Sequence, residues 1–180
     1  MSLRDYAILM SRYNEWMNAN VYAPAGRLSE QEFLADKGAF FKSVCGTLNH
    51  IMVADIIWLK RFAQHPAAHS ALEPVRKLAK PKTLDQVLYT RLTALSEQRK
   101  MLDAVIKAWA DSLSEADLDH MLNYTSTEGV EFNRPMASLL MHFFNHQTHH
   151  RGQVTTLLSQ MGQDVGMTDL VMLIPDQTAA

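Results

Sequence analysis

The sequence predicts an all-α fold, a four-helix bundle with a long crossover and a small hairpin before the last helix. Three observations lead there. Apolar residues recur every three or four positions along four long stretches; those stretches are almost free of interior Pro and Gly; and the connections between them are unequal in length, with no internal repeat. A chain of 180 residues fits one domain, read as residues 1–180, and buries a core without needing disulfides or a structural metal.

The first helix is expected over Ser2 to Val21, where Ala7, Met10, Tyr13, Met17 and Val21 form one stripe, with Pro24 and Gly26 closing it. A polar connection containing Ser29, Glu30 and Gln31 leads to a second helix, Lys42 to Ala63. Val44, Leu48, Ile51, Met52, Asp55, Leu59 and Phe62 line one side of it, and Gly46, His50, Ala54 and Ile57 the other, so it is buried nearly all round. Between Gln64 and Lys82, Pro66, Pro74 and Pro81 break any continuous helix and make a surface crossover. Helical spacing resumes from Thr83 to Ala110, through Leu84, Val87, Leu88, Leu92, Leu95, Leu102, Val105, Ile106 and Trp109. The run LNYTSTEGVEFNRP alternates around Thr127, Glu128 and Gly129 as a hairpin does. Pro135 suits the first turn of a fourth helix, which Gly162 ends after Met161. The tail to Ala180 is irregular, with an apolar patch from Leu170 to Ile174.

Composition narrows function. With 17 Lys and Arg against 19 Asp and Glu, a net charge of -2 and 47% hydrophobic residues, the chain lacks the cationic excess that gathers phosphates, so nucleic acid is not an expected partner. The longest apolar run, Ile51 to Leu59, is broken by Asp55 and is far short of the roughly 20 residues a membrane span needs. Cys45 is the only cysteine, which excludes an intrachain disulfide and fits a reducing compartment. The charged opening, with Arg4, Asp5, Arg12 and Glu15, is unlike a signal peptide. Together these lead to the expectation of a cytoplasmic protein.

Four of the eight histidines fall within HFFNHQTHH, His142 to His150. At about 100° per residue, Leu139, Phe143, Val154, Leu157 and Met161 define the apolar stripe of the fourth helix. His150 lies near its middle and His146 about 40° away, whereas His142 and His149 lie about 80° and 100° away. Two imidazoles at i and i+4 on one face can share a divalent ion, as in H-E-x-x-H helices, and bundle interiors are where such sites are built. The pair alone equally fits core histidines bonded to neighbouring helices, and a metal needs a third ligand. His50, among Gly46, Ala54 and Ile57, is the best inward candidate elsewhere, and His149 can substitute for His150 if the helix is distorted locally. His65, His69 and His120 are read as solvated loop residues and Cys45 as packing. Arg151 and Gln153 either orient ligands or bond between helices. Asp55 is expected to pair with Arg61 or Arg12, and Trp16, Trp58 and Phe143 to sit in the core. Because Gln147, Thr148 and His149 separate the two histidines, no H-E-x-x-H glutamate is present and a zincin-type protease is not expected.

SVCGTLNHIMVADIIWLKRF (43–62) together with MHFFNHQTHHRGQVTTLLSQMG (141–162) resembles the DinB family, and the likeness extends over nearly the whole chain, including YNEWMN (13–18) and the hairpin. The resemblance implies a four-helix bundle, often a homodimer, in which three histidines hold a divalent metal ion. Its first ligand is the histidine of TLNH, here His50, and the other two belong to NHxxHHRGQ, here His146 and His150. Zinc or nickel suits an all-imidazole site best, with iron, cobalt or manganese as alternatives. Proteins of this family include transferases that use low-molecular-weight thiols and a thiol-dependent isomerase of maleylpyruvate. The expected function is therefore a metal-dependent thiol transferase or hydrolase acting on a small electrophilic substrate. The alternative is a non-enzymatic, dimeric metal-binding scaffold of the stress response.

Overall fold

The computed structural model describes residues 1–176. Four long helices form the bundle: α1 (Leu3–Ala25), α3 (Val44–Phe62), α5 (Leu92–Ser112) and α7 (Met136–Gln160). Short helices α2 (Glu30–Leu34), α4 (Glu73–Arg76) and α6 (Glu115–Leu118) lie in the connections, as does a hairpin of β1 (Met121–Thr125) and β2 (Glu131–Pro135). Helix α1 packs on α5 and α7, and α3 packs mainly on α7. No helix among the described residues is long and apolar enough to cross a membrane.

Local chemistry sets the helix starts. Ser2 and Asp5 exchange hydrogen bonds in a capping box at the head of α1, Ser29 and Glu32 do so at α2, and the Ser43 hydroxyl accepts from the Gly46 N–H at α3. The hairpin is antiparallel, Met121 opposite Pro135 and Tyr124 opposite Phe132. Pro135 ends β2 and stands as the residue before α7, where its missing N–H costs no ladder bond.

The core is aromatic toward one end. Phe62 stacks on Trp109 with ring centroids 4.8 Å apart, and Phe143 meets Phe62 edge-on at 5.7 Å. Beside it a buried polar layer ties the four long helices together: Asn14 and Asn18 of α1, Asp55 of α3, Arg99 and Asp103 of α5, Gln147 and Arg151 of α7. Arg99 meets Asp55 at 2.5 Å and Asp103 at 3.0 Å; Gln147 donates to Asp55 at 2.7 Å, and Asn18 donates to Asp103 at 2.8 Å. Two guanidinium groups thus balance two carboxylates. Burial opposes the charge on Arg99, but Asp103 and Asp55 more than offset it and raise its pKa.

Several sequence expectations need correction. The third helix begins at Leu92 rather than Thr83. Residues 83–91 are instead held by the Asn49 side chain, which accepts from the Leu88 and Tyr89 N–H groups at 2.8 and 3.0 Å and donates to the Tyr89 carbonyl at 2.9 Å. Leu84 and Val87 are accordingly half exposed and outside the core. The first helix runs on to Ala25 with Pro24 in its last turn, and the crossover carries a short 3₁₀ turn (Ser70–Leu72) followed by α4. His65 and His69 are buried rather than solvated. Asp55 pairs with Arg99, not with Arg61, whose guanidinium reaches the Thr125 carbonyl, nor with Arg12, which is exposed. The tail patch forms a 3₁₀ turn at Leu170–Leu173 whose Val171 and Met172 stay exposed; its last four residues, 177–180, lie outside the described region.

Candidate metal centre

Helix α3 presents His50 on the face that packs against α7, and α7 presents His146 and His150 one turn apart. The three rings converge. His50 Nε2 lies 3.2 Å from His146 Nε2 and 3.1 Å from His150 Nε2. Three imidazole nitrogens bound to one zinc-like ion at about 2.0–2.1 Å in a tetrahedral arrangement stand roughly 3.4 Å from one another, so the donor set fits an ion with little rearrangement.

Their outer nitrogens decide the tautomers. His50 Nδ1 is 2.8 Å from the Leu84 carbonyl, which can only accept, so Nδ1 carries the proton and Nε2 presents a bare lone pair. His150 Nδ1 donates to Gln153 Oε1 at 2.8 Å, which leaves its Nε2 bare as well. Two lone pairs facing each other at 3.1 Å repel unless a cation lies between them. Each outer contact is also what a metal histidine needs to hold its ring in orientation.

Electrostatics keep the rings neutral. Burial, and then the neighbouring His150 and His50, push His146 down to about 3, and burial lowers His50 and His150 too. Neutral imidazoles are the ligating form. His50 is buried while His146 and His150 are half-buried, so the centre is reachable from solvent. Phe41 lies over it, stacked on His50 at 3.8 Å and edge-on to His150 at 5.6 Å. This approach depends on Gly46: a Cβ there would stand 2.0 Å from the Phe41 carbonyl oxygen.

The remaining candidates separate. His149 is exposed, 3.4 Å from the Gln153 amide and edge-on to the His150 ring at 4.7 Å, so the helix phase favours His150. His142 lies on the rim, its ring 5.1 Å from Trp58 and 5.9 Å from His146. Arg151 is buried and donates to the Asn14 side chain, an interhelical tie. Cys45 is buried against Tyr89 and Asn49, and burial pushes its thiol pKa up. Sequence reasoning missed Arg99 and Asp103, although Arg99 falls on the Leu95, Leu102, Ile106, Trp109 stripe and could have been found there.

Farther along α3, a cavity of about 860 Å³ opens between this helix, the crossover and the hairpin. Lys60, Arg61, Arg76 and Lys80 line it against the single acid Glu131, with Tyr124 and Phe132 as an aromatic wall. Ile57 and Arg61 of this wall lie on the His50 stripe, about 10 and 16 Å beyond it at 1.5 Å per residue.

The profile of the DinB family matches residues 1–178. The chain is 23% identical over 171 residues to "Protein DinB" of Bacillus subtilis (strain 168), covering 93% of this chain and 92% of that protein. No solved structure matches it. The chain belongs to the DinB family.

Proposed function

We propose that the protein is a divalent-metal-binding enzyme in which His50, His146 and His150 hold one ion, zinc or nickel by preference, and in which that centre promotes attack of a low-molecular-weight thiol or water on a small electrophile. The observation that carries this reading is the approach of His50 Nε2 to His146 Nε2 at 3.2 Å and to His150 Nε2 at 3.1 Å, with the lone pairs of His50 and His150 left bare by outer hydrogen bonds. Three neutral ligands would leave a bound ion its full charge, and the chemistry such an ion would supply is the loss of a proton from a thiol or water near neutral pH.

The protein's own groups supply the rest. Leu84 and Gln153 orient His50 and His150, and Phe41 covers the rings and restricts water. The cationic cavity on the same α3 stripe suits an electrophile or thiol that carries a carboxylate or phosphate. Transfer then joins the thiol sulfur to the electrophilic carbon, the thiol proton passing to solvent and the leaving group departing with the bond's electron pair. A cytoplasmic homodimer is part of the proposal, supported by family membership and by exposed apolar residues such as Phe40 and Met141.

Cobalt substitution tests it. Addition of 2-mercaptoethanol to the cobalt-loaded protein is expected to produce a sulfur-to-cobalt charge-transfer band that His146→Ala lacks. A cobalt spectrum indifferent to thiol in the wild-type protein contradicts an open, reactive centre.

A further inference from the structure

We infer that the chain carries a second cation site, formed by His65, His69 and Asp117, which takes a divalent ion of the zinc type and clamps the crossover to the corner between α5 and α6. It shares no ligand with the first centre and stands independently of the proposed activity.

The site is built by two segments. His65 and His69 come from the crossover and are only 6% and 8% exposed. Asp117 comes from α6, where its Oδ2 is fixed by the Ser114 N–H at 2.8 Å and the Ser114 hydroxyl at 2.7 Å. One donor atom of each of the three residues lies within 4.8 Å of the others.

Hydrogen bonding turns electron-rich atoms of this cluster toward one another. The Ser112 hydroxyl gives its single proton to the Trp109 carbonyl at 2.7 Å, so at its 3.2 Å contact with His69 Nδ1 the ring must donate. His69 Nε2 is then a bare lone pair, and it faces Asp117 Oδ2 at 3.8 Å. At that separation the two electron-rich atoms are out of contact and leave room for a cation between them. The separation is too long for a hydrogen bond and close to the spacing of two ligands on one tetrahedral ion. His65 Nε2, the protonated nitrogen of its ring, is buried without a hydrogen-bond partner. His65 Nδ1 accepts from the Ala67 N–H at 3.1 Å, so ligation through Nε2 moves the ring proton to Nδ1 and gives up that one contact. Two further groups face the site: His120 lies edge-on to His65 at 4.6 Å, and Ser112 contacts both the Trp109 carbonyl and His69 Nδ1.

Two imidazoles and a carboxylate form a borderline donor set that selects zinc over magnesium or calcium and leaves a fourth position for water. The benefit is mechanical. The crossover between α3 and α5 carries only a 3₁₀ turn and the four-residue α4, and an ion held by His65, His69 and Asp117 pins it to the end of α5.

Metal-free protein titrated with zinc, with elemental analysis after removal of unbound ion, tests the inference. The wild type is expected to retain two equivalents, His69→Ala and Asp117→Asn one each, His146→Ala one, and the double variant His69→Ala/His146→Ala none. Zinc is further expected to raise the Tm of His146→Ala but not that of the double variant. Asp117→Asn keeps an acceptor for Ser114 and so serves if His69→Ala fails to fold. A single equivalent in the wild type under excess zinc, or a count unchanged by Asp117→Asn and His69→Ala, overturns the site.

Discussion

Asn49 precedes the candidate ligand His50, yet its side chain points into the irregular segment 83–91, and replacing it tests how that segment supports the metal centre. The amide accepts from the Leu88 and Tyr89 N–H groups at 2.8 and 3.0 Å and donates to the Tyr89 carbonyl at 2.9 Å, with the residue 1% exposed. Asn49→Ala removes three tertiary hydrogen bonds. At about 1 kcal/mol net each, the loss is about 3 kcal/mol, held to that value because the freed backbone groups lie near the surface and can hydrate. For a domain of this size each kcal/mol lowers Tm by about 2–4 °C, so a fall of roughly 6–12 °C is expected by circular dichroism. The same segment holds the Leu84 carbonyl on His50 Nδ1 at 2.8 Å. Releasing it frees the ring to turn, and removal of such an outer partner weakens metal affinity about 10–100-fold, measurable by chelator competition. Asn49→Asp keeps the acceptor for both N–H groups and is expected to fall between wild type and Asn49→Ala. A Tm unchanged by Asn49→Ala, together with unchanged metal affinity, refutes the reasoning.

Other perturbations reach different parts of the same structure. Asp55→Ala strips Arg99 and Gln147 of a buried carboxylate partner and is expected to cost about 3–5 kcal/mol in urea unfolding, because the remaining charge stays buried; a loss near zero sinks the view of the polar layer as a connected network. Gly46→Ala puts a Cβ 2.0 Å from the Phe41 carbonyl oxygen, so despite the better helix former a loss of about 1–3 kcal/mol is expected, with a shift of the histidine proton resonances of the centre; equal or higher stability refutes the close approach. In the metal-free protein the folded pKa values of His50, His146 and His150 lie below the ordinary 6.5, that of His146 at about 3. The unfolded chain therefore binds more protons across that interval, and this contribution to stability is complete above pH 6.5 and lost as pH falls toward 3. The urea midpoint of chelator-treated protein is expected to drop between pH 7.5 and pH 5, and a flat profile contradicts the burial of the three rings.

What could be read in advance follows from the range of the interactions. His146 and His150 were legible because helical phase is local: a stripe of Leu139, Phe143, Val154 and Leu157 is enough to aim them inward. The hairpin and the end of α7 were legible for the same reason, through Gly129 and Gly162. The beginning of α5 was not, since Thr83 to Arg91 has helical spacing and loses its helix to Asn49, some forty residues earlier. The partner of Asp55 was equally remote, Arg99 meeting it across the bundle. His65 and His69 lie among prolines without periodicity, and only the folding of the crossover against α5 and α6 buries them.

The central claim, that His50, His146 and His150 together hold one divalent ion, is tested most directly by metal content. Elemental mass spectrometry of untagged wild-type protein should be compared with His50→Ala, His146→Ala and His150→Ala, each confirmed as folded by circular dichroism. Each variant is expected to contain one ion fewer per chain than the wild type, while His149→Ala retains the full complement. Metal content identical in all five proteins, or no metal in the wild type after incubation with zinc or nickel, contradicts the claim.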